Sequence, residues 1–312
     1  MKKAILLGII SSFFFAFTFI LNKSMEASGG NWIWSGVLRY VFMLPVLFIM
    51  VMVRKECVQV LKDIKNRPAQ WFLWSTVGFG FFYAPICLAS VYSPSWIVAG
   101  TWQITIVAGI LLSPLFFKTI ETENGVIKER LKIPKKPLTM SLIILFGIFL
   151  IQIQQVNVGE IHKGIMGIIF VLIAAFSYPL GNRKMMEVCG GKFNTVQRVF
   201  GMTLCSMPFW IILSFYGTLT VGLPSESQVI QSIVVALCSG IIATLLFFKA
   251  TDMVKDDPNK LAIIEATQCG EVIFTVLGGV LILNDTLPTI VGWIGLLFVV
   301  IGMALNSIIS NK

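Results

Sequence analysis

Charge is scarce in this chain of 312 residues: Asp, Glu, Lys and Arg together make up 12% of it. A soluble domain of this length could not hide a composition that is 56% apolar with a mean hydropathy of +0.87. The bilayer is therefore the expected solvent for most of the chain. Histidine is nearly absent, His162 being the single copy, and it falls in an external loop where solvation accounts for it. Six cysteines (Cys57, Cys87, Cys189, Cys205, Cys238 and Cys269) show no CxxC and no Cys/His spacing. Thiols in apolar runs behave as small hydrophobes, so neither a metal centre nor a disulfide framework is expected. Also missing are GxxxxGK[ST], HExxH, a GxGD aspartate pair and any Ser/His pairing within an apolar run. These absences argue against an ATP-driven pump and against an intramembrane enzyme; no cofactor is expected. The longest polar stretch, about 118–137, is too short to fold alone.

What the chain has is apolar runs, ten of them, at about 4–21, 32–53, 71–92, 95–117, 138–156, 164–182, 195–216, 229–250, 260–283 and 288–309. The net charge of +9 is not a nucleic-acid stripe, because the basic residues sit in the short loops between these runs. Twenty Lys and Arg residues fall in alternate loops, against Lys23 and Lys163 on the other side. Cytoplasmic loops carry the positive excess, so both termini are expected in the cytoplasm, with the chain multi-pass in the cytoplasmic membrane. Lys2-Lys3 and the run after them imitate a secretory signal. The run's internal repeat partner cannot be cleaved, which favours a retained helix.

That partner begins at Gly167. Gly8 to Gly30 and Gly167 to Gly191 share a Gly-Ile-Ile start, a central Ala-Phe and a Gly-Gly end. Five runs per half is an odd number, so the second half must enter the membrane upside down. The expected fold is an all-α integral membrane protein of ten transmembrane helices in two inverted five-helix repeats, residues 1–156 and 157–312. Such chains place a site near the midplane between the halves, the usual build of a transporter.

Three ionisable residues lie inside apolar runs: Arg39, Glu265 and Glu271. Each costs at least ~2.5–3.5 kcal/mol on insertion scales and needs a partner, water or neutralisation. Treated as one helix from Lys260, the ninth run puts Glu271 near the midplane, with Thr267, Gln268 and Thr275 along the same face. Burial disfavours a charged carboxylate, which suits a proton carrier or a cation ligand, although a structural pair with Arg39 would also explain Glu271. Glu265 lies shallow, within reach of cytoplasmic water. Arg39 can snorkel, pair with an acid or attract an anionic substrate; Arg198 is expected to snorkel. In the fourth run Thr105 is the expected repeat counterpart of Glu271, with Trp102 adjoining. Tyr83, Trp102 and Tyr178 lie deep enough to line a cavity. Trp32, Trp34, Trp71 and Trp74 stand at run ends, where interface anchoring explains them. Gly78, Gly80, Gly278 and Gly279 read as close helix contacts, and Pro85, Pro114, Pro179 and Pro208 as kinks.

Arg39-Tyr40, the Ala89 to Tyr92 ending of the third run, and EVIFTVLGGVLILND from Glu271 to Asp285 resemble motifs of the drug/metabolite transporter superfamily. The departures are Val272 where proline is usual and Asn284-Asp285 where Gly-Glu is usual. The EATQCGEVIF string around Glu271 is similar to a bacterial branch of that superfamily named for multidrug resistance efflux. The resemblance covers nearly the whole chain and implies ten helices in two inverted halves. Fold is a poor guide to cargo in so broad a superfamily. The expected function is secondary export of a drug-like cation or zwitterionic metabolite by alternating access. Glu271 would carry the coupling proton, and Thr267, Gln268, Thr275, Trp102, Thr105, Arg39, Tyr83 and Tyr178 would contact substrate. An amino-acid or anionic metabolite exporter using Arg39, and a lipid-head-group flippase, are the alternatives. Partners are a small-molecule substrate, a proton and membrane lipids, in a monomer or homodimer.

Overall fold

The computed structural model describes residues 1–122, 125–133, 135–156, 161–254, 264 and 267–310. The chain begins with α1 (Lys2–Ala27), α2 (Trp32–Val53) and a short surface helix α3 (Cys57–Asn66). Next come α4 (Pro68–Ser75), α5 (Phe81–Tyr92), α6 (Ser95–Trp102) and α7 (Ile104–Leu111). A two-stranded antiparallel hairpin, β1 (Phe117–Thr122) and β2 (Gly125–Arg130), leads to α8 (Lys135–Val156). The rest is α9 (Ile161–Cys189), α10 (Thr195–Thr220), α11 (Glu226–Val235), α12 (Thr244–Asp252), α13 (Cys269–Leu283) and α14 (Ile290–Ser310).

Among the described residues, six helical stretches are long and apolar enough to cross a membrane, and four shorter apolar ones accompany them. Each of the ten apolar runs read from the sequence overlaps one of these stretches, the ninth only from Cys269 onward. Large apolar side chains such as Ile49, Ile211 and Leu281 point outward, the arrangement expected where lipid replaces water as solvent. Caps mark several helix starts. Asn31 accepts from the Ile33 N–H at 3.0 Å, and Asn194 and Gln197 form a reciprocal capping box.

Two kinds of interruption recur. Between α4 and α5 the chain makes a π-helical turn at Thr76–Gly80, and between α11 and α12 another at Ala236–Ala243. The fourth apolar run breaks at Gln103, between α6 and α7; the ninth breaks at Thr267-Gln268, just before α13. Such irregular backbone leaves polar groups unpaired and is tolerated at membrane depth only against protein or a cavity. The four interruptions fall in the third, fourth, eighth and ninth runs.

Glycines set the closest helix contacts. A methyl on Gly181 of α9 would stand 2.3 Å from the Gly78 backbone, and one on Gly278 would meet Ile20 at 2.2 Å. Gly80 and Gly279 are similarly crowded, by Phe209 and by Ser95, so all four glycines singled out in the sequence serve close approach. Prolines 85, 179 and 208 lie inside helices, whereas Pro114 belongs to a short 3₁₀ turn after α7.

Three expectations need correction. The ninth run is not one helix from Lys260 through Thr275: Thr267 and Gln268 form a turn, and Glu271 lies in the first turn of α13. Lys260 and Glu265 fall outside the described residues. Trp71 is no interface anchor, being fully buried with its indole N–H donated to Asp63 at 2.9 Å; Trp34 is buried as well and donates to the Gly222 carbonyl. The polar stretch after the fourth run holds the β1–β2 hairpin.

Candidate functional site

A cavity of about 630 Å³ is lined by residues between Phe15 and Ile110 and between Tyr178 and Met303, and aromatic side chains from both hydrophobic clusters wall it. That volume suits a drug-sized organic molecule. Six residues expected from the sequence line it: Glu271, Gln268, Trp102, Thr105, Arg39 and Tyr178.

Glu271 is 9% exposed. Its place in the first turn of α13 sets it at the positive end of the helix dipole, a favourable setting for a buried carboxylate. The Gln103 side chain, from the break between α6 and α7, lines the same cavity and donates to the Ala99 carbonyl at 3.1 Å. The break in one half thus shares a cavity with the acid that follows the break in the other. Gln268, the N-cap residue of α13, donates to the Ser11 hydroxyl at 3.1 Å and so ties this turn to α1. When the two breaks are aligned by their N-caps, Gln103 matches Gln268, and Ile106 rather than Thr105 takes the position equivalent to Glu271. Thr105 instead donates its hydroxyl to the Ala175 carbonyl at 3.3 Å, from the cavity wall.

Three expected residues do not line the cavity. Thr267 donates to Ile264 O at 2.6 Å and packs on Gly8. Thr275 is fully buried and donates to the Glu271 carbonyl at 2.7 Å, which holds the first turn of α13 in place. Tyr83 lies beneath Arg39, its hydroxyl donated to Asn22 at 3.1 Å.

Arg39 is 6% exposed. Its guanidinium stands 4.1 Å from the centre of the Tyr83 ring, and Nη1 donates to the Thr18 hydroxyl at 3.3 Å. Thr18 in turn shares a 2.5 Å hydrogen bond with Ser239, in the second π-helical turn. Arg39 makes no ion pair among the described residues, and its Nε has no hydrogen-bond partner. A third wall is aromatic: Phe82, Trp102 and Tyr178 contact one another with centroids 4.7–5.6 Å apart.

Sequence reading did not place Gln103, Thr18, Ser239, Phe82, Arg183 or Arg198 in this site. Gln103 carried a signal, as a polar residue inside an apolar run. Arg183, which donates to the Gly109 carbonyl at 2.6 Å, and Arg198 read as a loop charge and a snorkelling charge near helix ends, and the cavity reaches out to both. Three arginines and, among the described residues, one carboxylate line the space.

The chain matches, over residues 2–312, the model of the EmrE family, described as "Putative multidrug resistance efflux transporter". It is 51% identical to an uncharacterized protein, YjlA, of Bacillus subtilis (strain 168), covering 99% of this chain and 95% of that one. It is 46% identical to an uncharacterized 42.1 kDa protein of Shouchella clausii, covering 86% of this chain and 70% of that one. A crystal structure only 13% identical in sequence superposes with a TM-score of 0.63 over 99% of both chains, which speaks for the fold alone. An apolar, multi-pass helical chain with a polar cavity agrees with these matches: the protein belongs to the EmrE family of efflux transporters, within the drug/metabolite transporter superfamily.

Proposed function

We propose that this protein is a proton-coupled secondary transporter that exports a small organic solute across the cytoplasmic membrane by alternating access. The observation that carries the reading is the meeting of Glu271, Gln103, Arg39 and an aromatic wall in one cavity. In this reading the ten helical stretches are ten spans, residues 1–156 and 157–312 are inverted repeats, and both termini are cytoplasmic. The matched π-helical turns and helix breaks support the repeat, since interruptions at corresponding places in two halves mark transporter sites. The basic loops support the orientation.

The face opposite the basic loops is held by bonds between the halves. Ser95 and Trp96 reach the Asp285–Thr286 turn, and Gln228 reaches Asn31 and Ser35. The cavity extends instead toward Arg183 and Arg198, near the basic side. These features fit an inward-facing state. Glu271 then exchanges a proton for substrate as the two halves rock, and the aromatic wall holds the apolar body of the solute.

Proteoliposome flux tests this. Ethidium and phenylalanine serve as cationic and zwitterionic probes, with and without a pH gradient. A gradient is expected to accelerate export of at least one probe, and Glu271→Gln to reduce that flux to its level without a gradient. Unchanged gradient-driven flux in the variant would remove Glu271 from the coupling role.

A further inference from the structure

We infer that the cavity is built to receive an anionic group on its substrate, at a subsite formed by Arg39, Thr18 and Ser239. The inference rests on the transport reading and narrows its cargo to amphipathic organic acids: a carboxylate on an apolar, aromatic body.

A guanidinium is always charged and presents five N–H donors. Here Arg39 uses one of them on a neutral hydroxyl, leaves Nε without a partner, and forms no ion pair among the described residues, Glu271 across the cavity included. Stacking on Tyr83 holds the plane of the group, with the centroid 4.1 Å away, but a ring does not neutralise the charge. A buried cation of this kind is ordinarily paired. Arg39 lines the cavity, so a bound anion can reach it.

The surroundings complete a receptor. Thr18 and Ser239 sit hydroxyl to hydroxyl beside Arg39, at 2.5 Å, and both line the cavity. One of the pair can turn its proton toward an anion while still accepting from its neighbour, because hydroxyl rotors adapt. Ser239 lies in the π-helical turn, whose extra residue places it against α1. The balance of charge agrees, three arginines to one carboxylate among the described lining residues. An organic acid would pair with Arg39 and lay its body on Phe82, Trp102 and Tyr178. Guanidinium recognises carboxylate through two parallel bonds, and Arg39 is pre-oriented for that geometry.

Three probes with one aromatic body separate the possibilities: 3-phenylpropionate, 3-phenylpropionamide and 3-phenylpropylammonium. Their binding to the purified full-length protein is measured by calorimetry, and their flux in proteoliposomes. The carboxylate is expected to bind at least about tenfold more tightly than the amide, the step worth a charge-assisted hydrogen bond. Arg39→Gln should abolish that preference, and Arg39→Lys should restore part of it. The wild-type ranking alone tests the inference should Arg39→Gln fail to fold. Equal affinity for all three probes, no measurable binding of the carboxylate, or a preference for the ammonium that survives in Arg39→Gln overturns it; flux of the ammonium would leave the transport reading standing. Arg39-dependent binding of the carboxylate with no flux of any probe would keep the anion site and remove the transport reading.

Discussion

Ser95 gives both its backbone N–H and its hydroxyl to one oxygen of Asp285, at 3.2 and 2.7 Å, across 190 residues of sequence. Ser95 opens α6 in the first half, and Asp285 follows the left-handed Asn284 that ends α13 in the second. The turn before α6 and the loop after α13 are thereby latched together on the face opposite the basic loops. Charge-assisted bonds to a carboxylate contribute about 1.5–3 kcal/mol. Asp285→Ala should therefore shift the balance between closed and open outer faces by roughly ten- to a hundredfold, at about 1.4 kcal/mol per decade. The readout is a cysteine at position 239 in a Cys238→Ala background, exposed to a membrane-impermeant maleimide from that face. Faster labelling in the Asp285→Ala protein is expected; an unchanged rate would mean the latch does not hold the face closed.

A second clasp, on the basic side, gives a dependence on pH. Burial opposes ionisation of Asp63, yet hydrogen bonds from Arg67 and Trp71, with the Arg67 charge and Lys192 nearby, hold its carboxyl below the usual range. Arg67 also reaches the Val188 carbonyl of α9, so the clasp joins the surface helix to the second half. A depressed carboxyl contributes stability that is complete above its unfolded value of about 3.9 and is lost as pH falls through the lower folded value. The thermal midpoint of the wild type should accordingly drop as pH falls below about 4. Asp63→Asn should lower the midpoint at neutral pH and flatten the acid limb. Parallel acid limbs in the two proteins would show that Asp63 is not the group responsible.

Hydropathy found the ten helical stretches because lipid-facing residues such as Ile49 and Leu281 make a helix apolar all round, and that signal needs no knowledge of partners. It could not see the break at Gln103, since the residues on either side, Thr101-Trp102 and Ile104-Thr105, read as uninterrupted helix. Nor could it tell a buried indole from an anchored one. Trp71 stands at a run end, but Asp63 on the neighbouring surface helix provides the acceptor that lets it bury completely. Glu271 and Arg39 were legible because a charge in an apolar run is costly wherever it points. Thr18 and Ser239 were not, because a hydroxyl in a helix usually satisfies its own backbone and gives no sign of a neighbour 221 residues away.

The contact of α9 with the first π-helical turn is backbone against backbone, which makes its glycines unusually intolerant. A Cβ at Gly181 would lie 2.3 Å from both the N and Cα of Gly78, and neither atom can rotate away. Gly181→Ala should cost roughly 1–3 kcal/mol or more, as overpacking does. Gly100→Ala is the control: its methyl would meet the flexible tip of Ile151 at 3.0 Å and should cost less than about 1 kcal/mol. Thermal unfolding in detergent ranks the two. The reverse order would mean that α9 moves freely against the turn.

Phe82, Trp102 and Tyr178 form a mutually supporting wall, so truncating one member should harm more than its own contact. Trp102 sits at the end of α6, one residue before the Gln103 break, and packs on both of the others, at 5.1 and 5.6 Å. Trp102→Ala removes two aromatic contacts of about 0.5–1.5 kcal/mol each as well as the surface a substrate would lie on. The KM of a transported aromatic probe should rise by about tenfold or more. Tyr178→Phe keeps the ring at 4.7 Å from Phe82 and removes only the hydroxyl, so its KM should change less than about threefold. A large effect of Tyr178→Phe, with a small one of Trp102→Ala, would mean that a hydroxyl contact rather than the aromatic wall recognises the substrate. The comparison also separates the wall from the polar groups opposite it. A Trp102 variant with raised KM should keep its dependence on the pH gradient, because Glu271 and Gln103 are left in place, whereas Glu271→Gln should lose that dependence whatever the probe.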